Sequence, residues 1–100
     1  MGEPFNGLTP AEAERLAILI EECNEVGQIA CKILRHGYAS THPNGGPDNR
    51  ALLGKEIGDV YAAVQMMSNH IDIDPPLVND ATQAKLDNVR RYLHHTKVSP

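Results

Sequence analysis

The chain has no tryptophan, one phenylalanine and three tyrosines, so any site on it has few rings to stack against a flat ligand. Positive charge is scarce as well. Nine lysines and arginines stand against thirteen aspartates and glutamates, a formal net charge of −4, which excludes the dense basic face that binding to duplex nucleic acid requires. A small anionic ligand would therefore need a cation to accompany it. No apolar run approaches the roughly 20 residues that span a bilayer. Met1-Gly2-Glu3-Pro4 carries no basic segment leading into an apolar one, so a cytoplasmic location is expected by default. The only cysteines, Cys23 and Cys31, are about 12 Å apart along one predicted helix, too far to bridge each other. Reduced thiols fit such a compartment. Strand signals are nearly absent, because no period-two alternation is sustained and Asn44-Gly45 sits among His, Pro and Gly rather than between β-branched runs.

Helix signals are strong. Thr9 with Glu12 three residues on makes a capping box, Pro10 suits the first helical position and Gly37 can close the far end, which predicts a first helix from about Pro10 to His36. Tyr38 to Asp48 has the composition of a loop. Asp48 or Asn49 can cap a second helix, whose apolar spacing runs through Leu53, Ile57, Val60, Val64, Met67 and Ile71. Asp74-Pro75 restarts the chain as a third helix, expected to end near His94 or His95. Residues 1–100 read as one all-α domain with a thin core, since a globule of this length buries only somewhat over about 60% of its unfolded surface.

On the first helix, Leu16, Leu19, Ile20, Cys23, Gly27, Ala30 and Leu34 form an apolar stripe at about 100° per residue. Ile18 and Ile29 lie on its flank, in line with Glu22 and Glu25, so this helix is expected to be covered on two sides. Three helices of this size do not manage that alone. A helical bundle completed by oligomerisation, a dimer or a dimer of dimers, is expected.

The acids are the pattern that carries chemistry. Glu21-Glu22-Cys23-Asn24-Glu25 lies on the first helix and Glu56-Ile57-Gly58-Asp59 on the second. Residues three apart share a helix face, so Glu22 with Glu25 and Glu56 with Asp59 each point as a pair, and on facing helices the pairs make a four-carboxylate cup. Glu56 and Asp59 stand beside Leu52, Ala63 and Met66, in an apolar arc where lone carboxylates cost several kcal/mol or take up protons. An all-oxygen set suits a hard cation, most commonly Mg²⁺, with Mn²⁺ able to substitute. The plain alternative is solvated surface acid. A di-iron bundle needs a Glu-x-x-His pair that neither Glu22 nor Glu56 begins.

This order, Glu-Glu-x-x-Glu then Glu-x-x-Asp on the first two helices of a short chain, resembles the MazG-like all-α nucleoside triphosphate pyrophosphohydrolases of the compact phage and bacterial type. The resemblance covers Leu8 to Met67 and extends more weakly to the third helix. It implies a four-helix-type bundle in which Glu22, Glu25, Glu56 and Asp59 hold Mg²⁺. Glu21 would orient or deprotonate the attacking water, with Glu22 beside it in the catalytic group. A (d)NTP would be cut to monophosphate and pyrophosphate in control of nucleotide pools, in the host cytoplasm if the chain is phage-encoded. The resemblance also implies a purine such as dGTP, since pyrimidine-specific members of that family carry more stacking aromatics. No Walker A loop or Gly-x-Ser-x-Gly elbow is present.

Other contacts are less marked. Lys85 interrupts the stripe Val78, Ala81, Val89, Tyr92 of the third helix and either snorkels from its edge or meets an anion. The resemblance implies that it reaches the triphosphate, with Asn88 and Arg91 taken from a set that also includes Arg90 and Tyr92. Lys32 and Arg35 complement the end of the first helix or bind phosphate beneath the loop. Asn24 and Gln28, one turn apart, are placed to read a base edge, and Phe5 to stack on it. His36, His42, His70, His94 and His95 make no metal spacing with the cysteines. The rival function is a non-catalytic helical module that binds a protein through its third helix.

Overall fold

A computed structural model describes residues 5–96. Behind a short 3-10 turn at Phe5–Gly7, three helices follow: α1 at Pro10–His36, α2 at Asn49–Asn69 and α3 at Pro75–Val89. No strand occurs among the described residues, only an isolated bridge between Thr41 and Asp48. Nor is any described helix long and apolar enough to cross a membrane.

The start of α1 is the capping box, with the Glu12 amide donating to Thr9 Oγ1 at 3.1 Å and the Thr9 amide to Glu12 Oε1 at 2.8 Å. Its end is Gly37, whose amide donates to the Ile33 carbonyl at 2.7 Å with φ at 87°, a backbone region that glycine enters without strain. Asp48 caps α2 by accepting from the Ala51 amide at 2.9 Å. Between these ends the loop is stapled by Asn49, which is 1% exposed. Its side-chain amide donates to the Gly37 carbonyl and its backbone amide to the Ser40 carbonyl, both at 3.0 Å. Arg50 lies 4.3 Å over the ring of Tyr38, a cation–π contact that closes the same corner.

At the other end of the hairpin, α2 stops at Asn69 rather than continuing through Ile71. Ile71 takes φ of 61° while the amides of Ile71 and Asp72 return to the carbonyls of Ser68 and Met67, a Schellman closure that normally falls on glycine. Asp72 then receives a two-pronged ion pair from the Arg15 guanidinium, both side chains being largely shielded. That pair ties the α2–α3 turn to the first third of α1.

α1 and α2 pack along each other, whereas α3 packs on neither to a comparable degree. α3 is also shorter than expected, ending at Val89 instead of His94 or His95, with tight turns from Arg91 to Asn88 and from Tyr92 to Val89 taking over. A helix of this length with no tertiary partner is near the limit of stability, and a run of Tyr and His adds little propensity. The core is correspondingly small: among the described residues, Ala63 at 1% and Met67 at 4% exposure are the buried apolar ones. The radius of gyration is 17.3 Å, against about 13 Å for a compact chain of this length. Accessible surface is 7851 Å², where a folded monomer of this mass shows about 5,600 Å².

The helices meet through the acid-bearing flank of α1 and the near edge of the apolar stripe, where Leu16 and Leu19 are half-buried. Ile18, Glu22, Glu25 and Ile29 are half-buried, while Cys23, Gly27 and Ala30 are exposed, with Ile20 at 61% and Leu34 at 86%. The flank that carries the acids is packed, and the buried residue Ala63 of α2 is small enough to admit close approach of the helices.

Replacing Asn49 by Ala would remove its part-buried bond to the Gly37 carbonyl, so the variant is expected to lose about 0.5–1.5 kcal/mol of stability. A thermal melt followed by circular dichroism checks this, and a midpoint unchanged from wild type would refute it.

Candidate metal centre

Four carboxylates converge where α1 and α2 cross. Glu22 faces Asp59 and Glu25 faces Glu56 across the antiparallel pair, which is the register that also sets Ile18 opposite Ala63. One oxygen from each of the four lies within 4.8 Å of the others, and all four residues are half-buried. Two ligands on opposite sides of one Mg²⁺ are about 4.2 Å apart, so the cup already has nearly the span of a single coordination sphere.

Its electrostatics are unfavourable as they stand. Glu22 Oε2 and Glu56 Oε2 are shielded from solvent and have no hydrogen-bond partner. The Glu22 carboxyl is held above the usual carboxylate range, first by desolvation and then by the charges of Asp59 and Glu56. Glu25 is raised too, first by its hydrogen bond with Glu56, then by desolvation and the charge of Glu22. One cation meets the cluster among the described residues. Lys55 Nζ lies 2.8 Å from Asp59 Oδ2 and 3.4 Å from Glu56 Oε1, and these two acids hold its ammonium well above the ordinary lysine value. Sequence reasoning passes over Lys55, although its i, i+4 spacing to Asp59 is an available signal. Oxygen donors only, two of their atoms unpartnered, and a net negative charge make a donor set that fits a hard divalent cation.

The remaining expected residues are scattered around this cup. Glu21 is exposed beside it on α1, close enough for its charge to act on Glu22 and Glu25. Asn24, Gln28 and Arg35 do come together, lining an open cavity of about 570 Å³ with Gly27 and Cys31. By helical angle Gly27 and Cys31 lie on the side of α1 turned away from the cup, while Gln28 is one turn from Glu25. Lys32 lines a second cavity, of about 280 Å³, with His36, Ser40, Thr41, His42 and Pro43 beneath the loop. Lys85 and Asn88 are exposed on α3 and Arg91 just beyond it, on a segment that does not pack on the cup. The expectation that Lys85 and its neighbours line the same site is therefore not met within one chain. The Phe5 side chain lies outside the described residues. Tyr38 has one ring face taken by Arg50.

No protein-family model matches the chain, and neither curated proteins nor solved structures returned a match. Function must therefore be read from the geometry of the site.

A carboxyl held above its unfolded value stabilises the fold while protonated. That contribution is complete below about pH 4.3 and is lost as pH rises through the folded-state value. Asp72 runs the other way: its bond to Arg15 lowers its pKa, so its contribution is present above about pH 3.9 and lost as pH falls through the lowered value. In chelator, the melting midpoint is expected to rise as pH is brought from about 7.5 to about 5, then fall under stronger acid. A midpoint that declines steadily from neutrality would mean that Glu22 and Glu25 titrate as ordinary surface acids.

Proposed function

We propose that the chain is a divalent-cation-dependent nucleoside triphosphate pyrophosphohydrolase, converting a (d)NTP, with a purine such as dGTP favoured, to its monophosphate and pyrophosphate. The observation that carries this reading is the convergence of two i, i+3 carboxylate pairs into one half-buried cup with shielded, unpartnered oxygens. Four acids spent on a helix interface weaken it unless a cation is there to hold. The resemblance of Glu21-Glu22-x-x-Glu25 and Glu56-x-x-Asp59 to the MazG-like motif supplies the reaction.

In this reading Glu22, Glu25, Glu56 and Asp59 hold Mg²⁺, which when bound offsets phosphate charge and makes water a better nucleophile. Glu21, exposed at the lip of the cup, accepts the proton of the attacking water. No side chain needs to form a covalent bond with substrate, since water attacks the α phosphorus and pyrophosphate leaves. The exposed, unpaired Cys23 and Cys31 accord with a reducing cytoplasm.

Assembly belongs to the same proposal. The surface in excess of a compact monomer is on the order of 2,000 Å², within the range one subunit commits to an obligate interface. The outer face of α1 exposes Ile20, Cys23, Gly27, Ala30 and Leu34, and a Cβ on Gly27 meets nothing within the chain. An exposed glycine inside a helix costs about 1 kcal/mol against alanine, a cost that close approach of a second copy would offset. Such a copy would also bring its own phosphate-binding residues toward a neighbour's cup. The same open faces suit the second reading, a non-catalytic module whose exposed α3 docks a protein. That reading requires neither cation nor turnover.

Incubation with each of the eight common (d)NTPs and Mg²⁺, with products resolved by chromatography, is expected to yield monophosphate and intact pyrophosphate. Glu25→Gln and Asp59→Asn should reduce turnover by at least about a thousandfold while keeping the helical spectrum, since each removes a ligand together with a repelling charge. Orthophosphate as first product would overturn the reaction, and silence across the panel with wild type would favour the binding module.

Light scattering at micromolar concentration is expected to show at least a dimer. Gly27→Leu should dissociate it, because the new side chain occupies the approach of the second copy. A Gly27→Leu chain with unchanged mass and a higher melting point would place the interface elsewhere.

A further inference from the structure

We propose that Lys55 is a substrate-phosphate ligand that doubles as the resident cation of the metal-free cup. It pairs with Asp59 and Glu56 until a divalent ion takes those oxygens, then turns its ammonium to the triphosphate. This inference rests on the metal-dependent reading of the four carboxylates.

Most cations of the chain stand away from the cup. Lys32 and Arg35 lie on other cavities, and Lys85 and Arg91 belong to a segment that does not pack on it. Lys55 alone is in contact with it among the described residues, with Nζ at 2.8 Å from Asp59 Oδ2 and 3.4 Å from Glu56 Oε1. Its side chain is 65% exposed while that of Glu56 is 13% exposed. The ammonium therefore sits on the mouth of the cup, on a flexible four-carbon stem with open space to move into.

A divalent ion bound by Asp59 would share a carboxylate with that ammonium, and like charges so close repel strongly in a partly desolvated site. One must leave, and the tethered one can turn outward without leaving the mouth. A triphosphate approaching the cup meets carboxylates first, and a magnesium–triphosphate complex is itself still anionic. A cation at the rim removes that barrier and is freed at the moment when the metal arrives with its phosphates. Lys55 thus makes the free ion a poor ligand and the ion–triphosphate complex a good one. This assigns to the site a preference for the preformed complex.

Lys55→Met keeps the length and apolar stem and deletes the charge, whereas Lys55→Arg keeps the charge. Calorimetry with Mn²⁺ alone and with magnesium tripolyphosphate, which lacks a base, separates the two roles. Lys55→Met is expected to bind Mn²⁺ about tenfold more tightly than wild type and magnesium tripolyphosphate about tenfold more weakly. Lys55→Arg should retain most of the wild-type affinity for the complex. Equal or weaker Mn²⁺ binding by Lys55→Met overturns the competition, and unchanged affinity for the complex overturns the phosphate role. Failure of wild type to bind Mn²⁺ at all removes the metal-dependent reading and this inference with it, an outcome distinct from the other two. Circular dichroism of each variant verifies that it is folded, and Lys55→Arg keeps the inference open to refutation should Lys55→Met unfold.

Discussion

Carboxylates drawn out of water must find protons, cations or donors, and the packing of α1 against α2 is organised around four that have found too few. The helices meet through the faces that carry Glu22, Glu25, Glu56 and Asp59, and apolar packing is left to short stretches on either side, such as Ile18 opposite Ala63 and Ile29 nearer the loop. Everything else in the hairpin holds that contact in place. Asn49 pins the loop end, the Arg15–Asp72 pair pins the other, and Gly37 allows α1 to stop where Asp48 can begin α2. Lys55 relieves part of the repulsion from outside, but leaves Glu22 Oε2 and Glu56 Oε2 without partners.

Both ends of α1, the start of α2 and the four clustered acids are legible from local rules. Capping chemistry at Thr9, Glu12 and Asp48 is written within four residues, and the i, i+3 spacing of each acid pair is a property of one helix. The long-range features are not. Nothing near Arg15 announces that it will hold Asp72, and nothing near Asn49 announces the Gly37 carbonyl. The packed face of α1 is hidden from the sequence for a related reason. Apolar content favours the stripe that includes Ile20 and Leu34, yet those two are exposed while the acid-bearing flank is half-buried, since which stripe packs is decided by the shape of the opposing surface. The end of α3 is overextended because periodicity through Tyr92 says nothing about what that stripe would rest on.

The scatter of the expected phosphate and base contacts has a common origin. Asn24, Gln28, Arg35, Lys85 and Arg91 all lie on surfaces that this single chain leaves open. A fold with two well-buried apolar side chains among its described residues, Ala63 and Met67, has little hydrophobic stabilisation to set against the conformational entropy of ordering three helices. Open apolar faces and distant polar groups are what one subunit of a bundle looks like when seen alone. Both are accounted for if a second copy closes the bundle, and neither is accounted for by the lone chain.

Stability alone would not choose these acids. A buried or half-buried ionic cluster is commonly improved by apolar residues of similar volume, and positions 22, 25, 56 and 59 line the one helix interface the chain has among its described residues. Leucine or methionine there would extend the core from Ala63 along most of α1. The cost of the carboxylates is bearable only if the state that matters is not the metal-free one, because a cation binding the folded cup and not the unfolded chain returns stability by mass action. In the proposed function metal binding and assembly would reinforce each other: a second copy excluding water from the cup's surroundings would raise the demand for the cation, and the cation would remove repulsion between the helices. The same coupling gives Lys55 its place at the rim, where it tempers the metal-free state without filling the site.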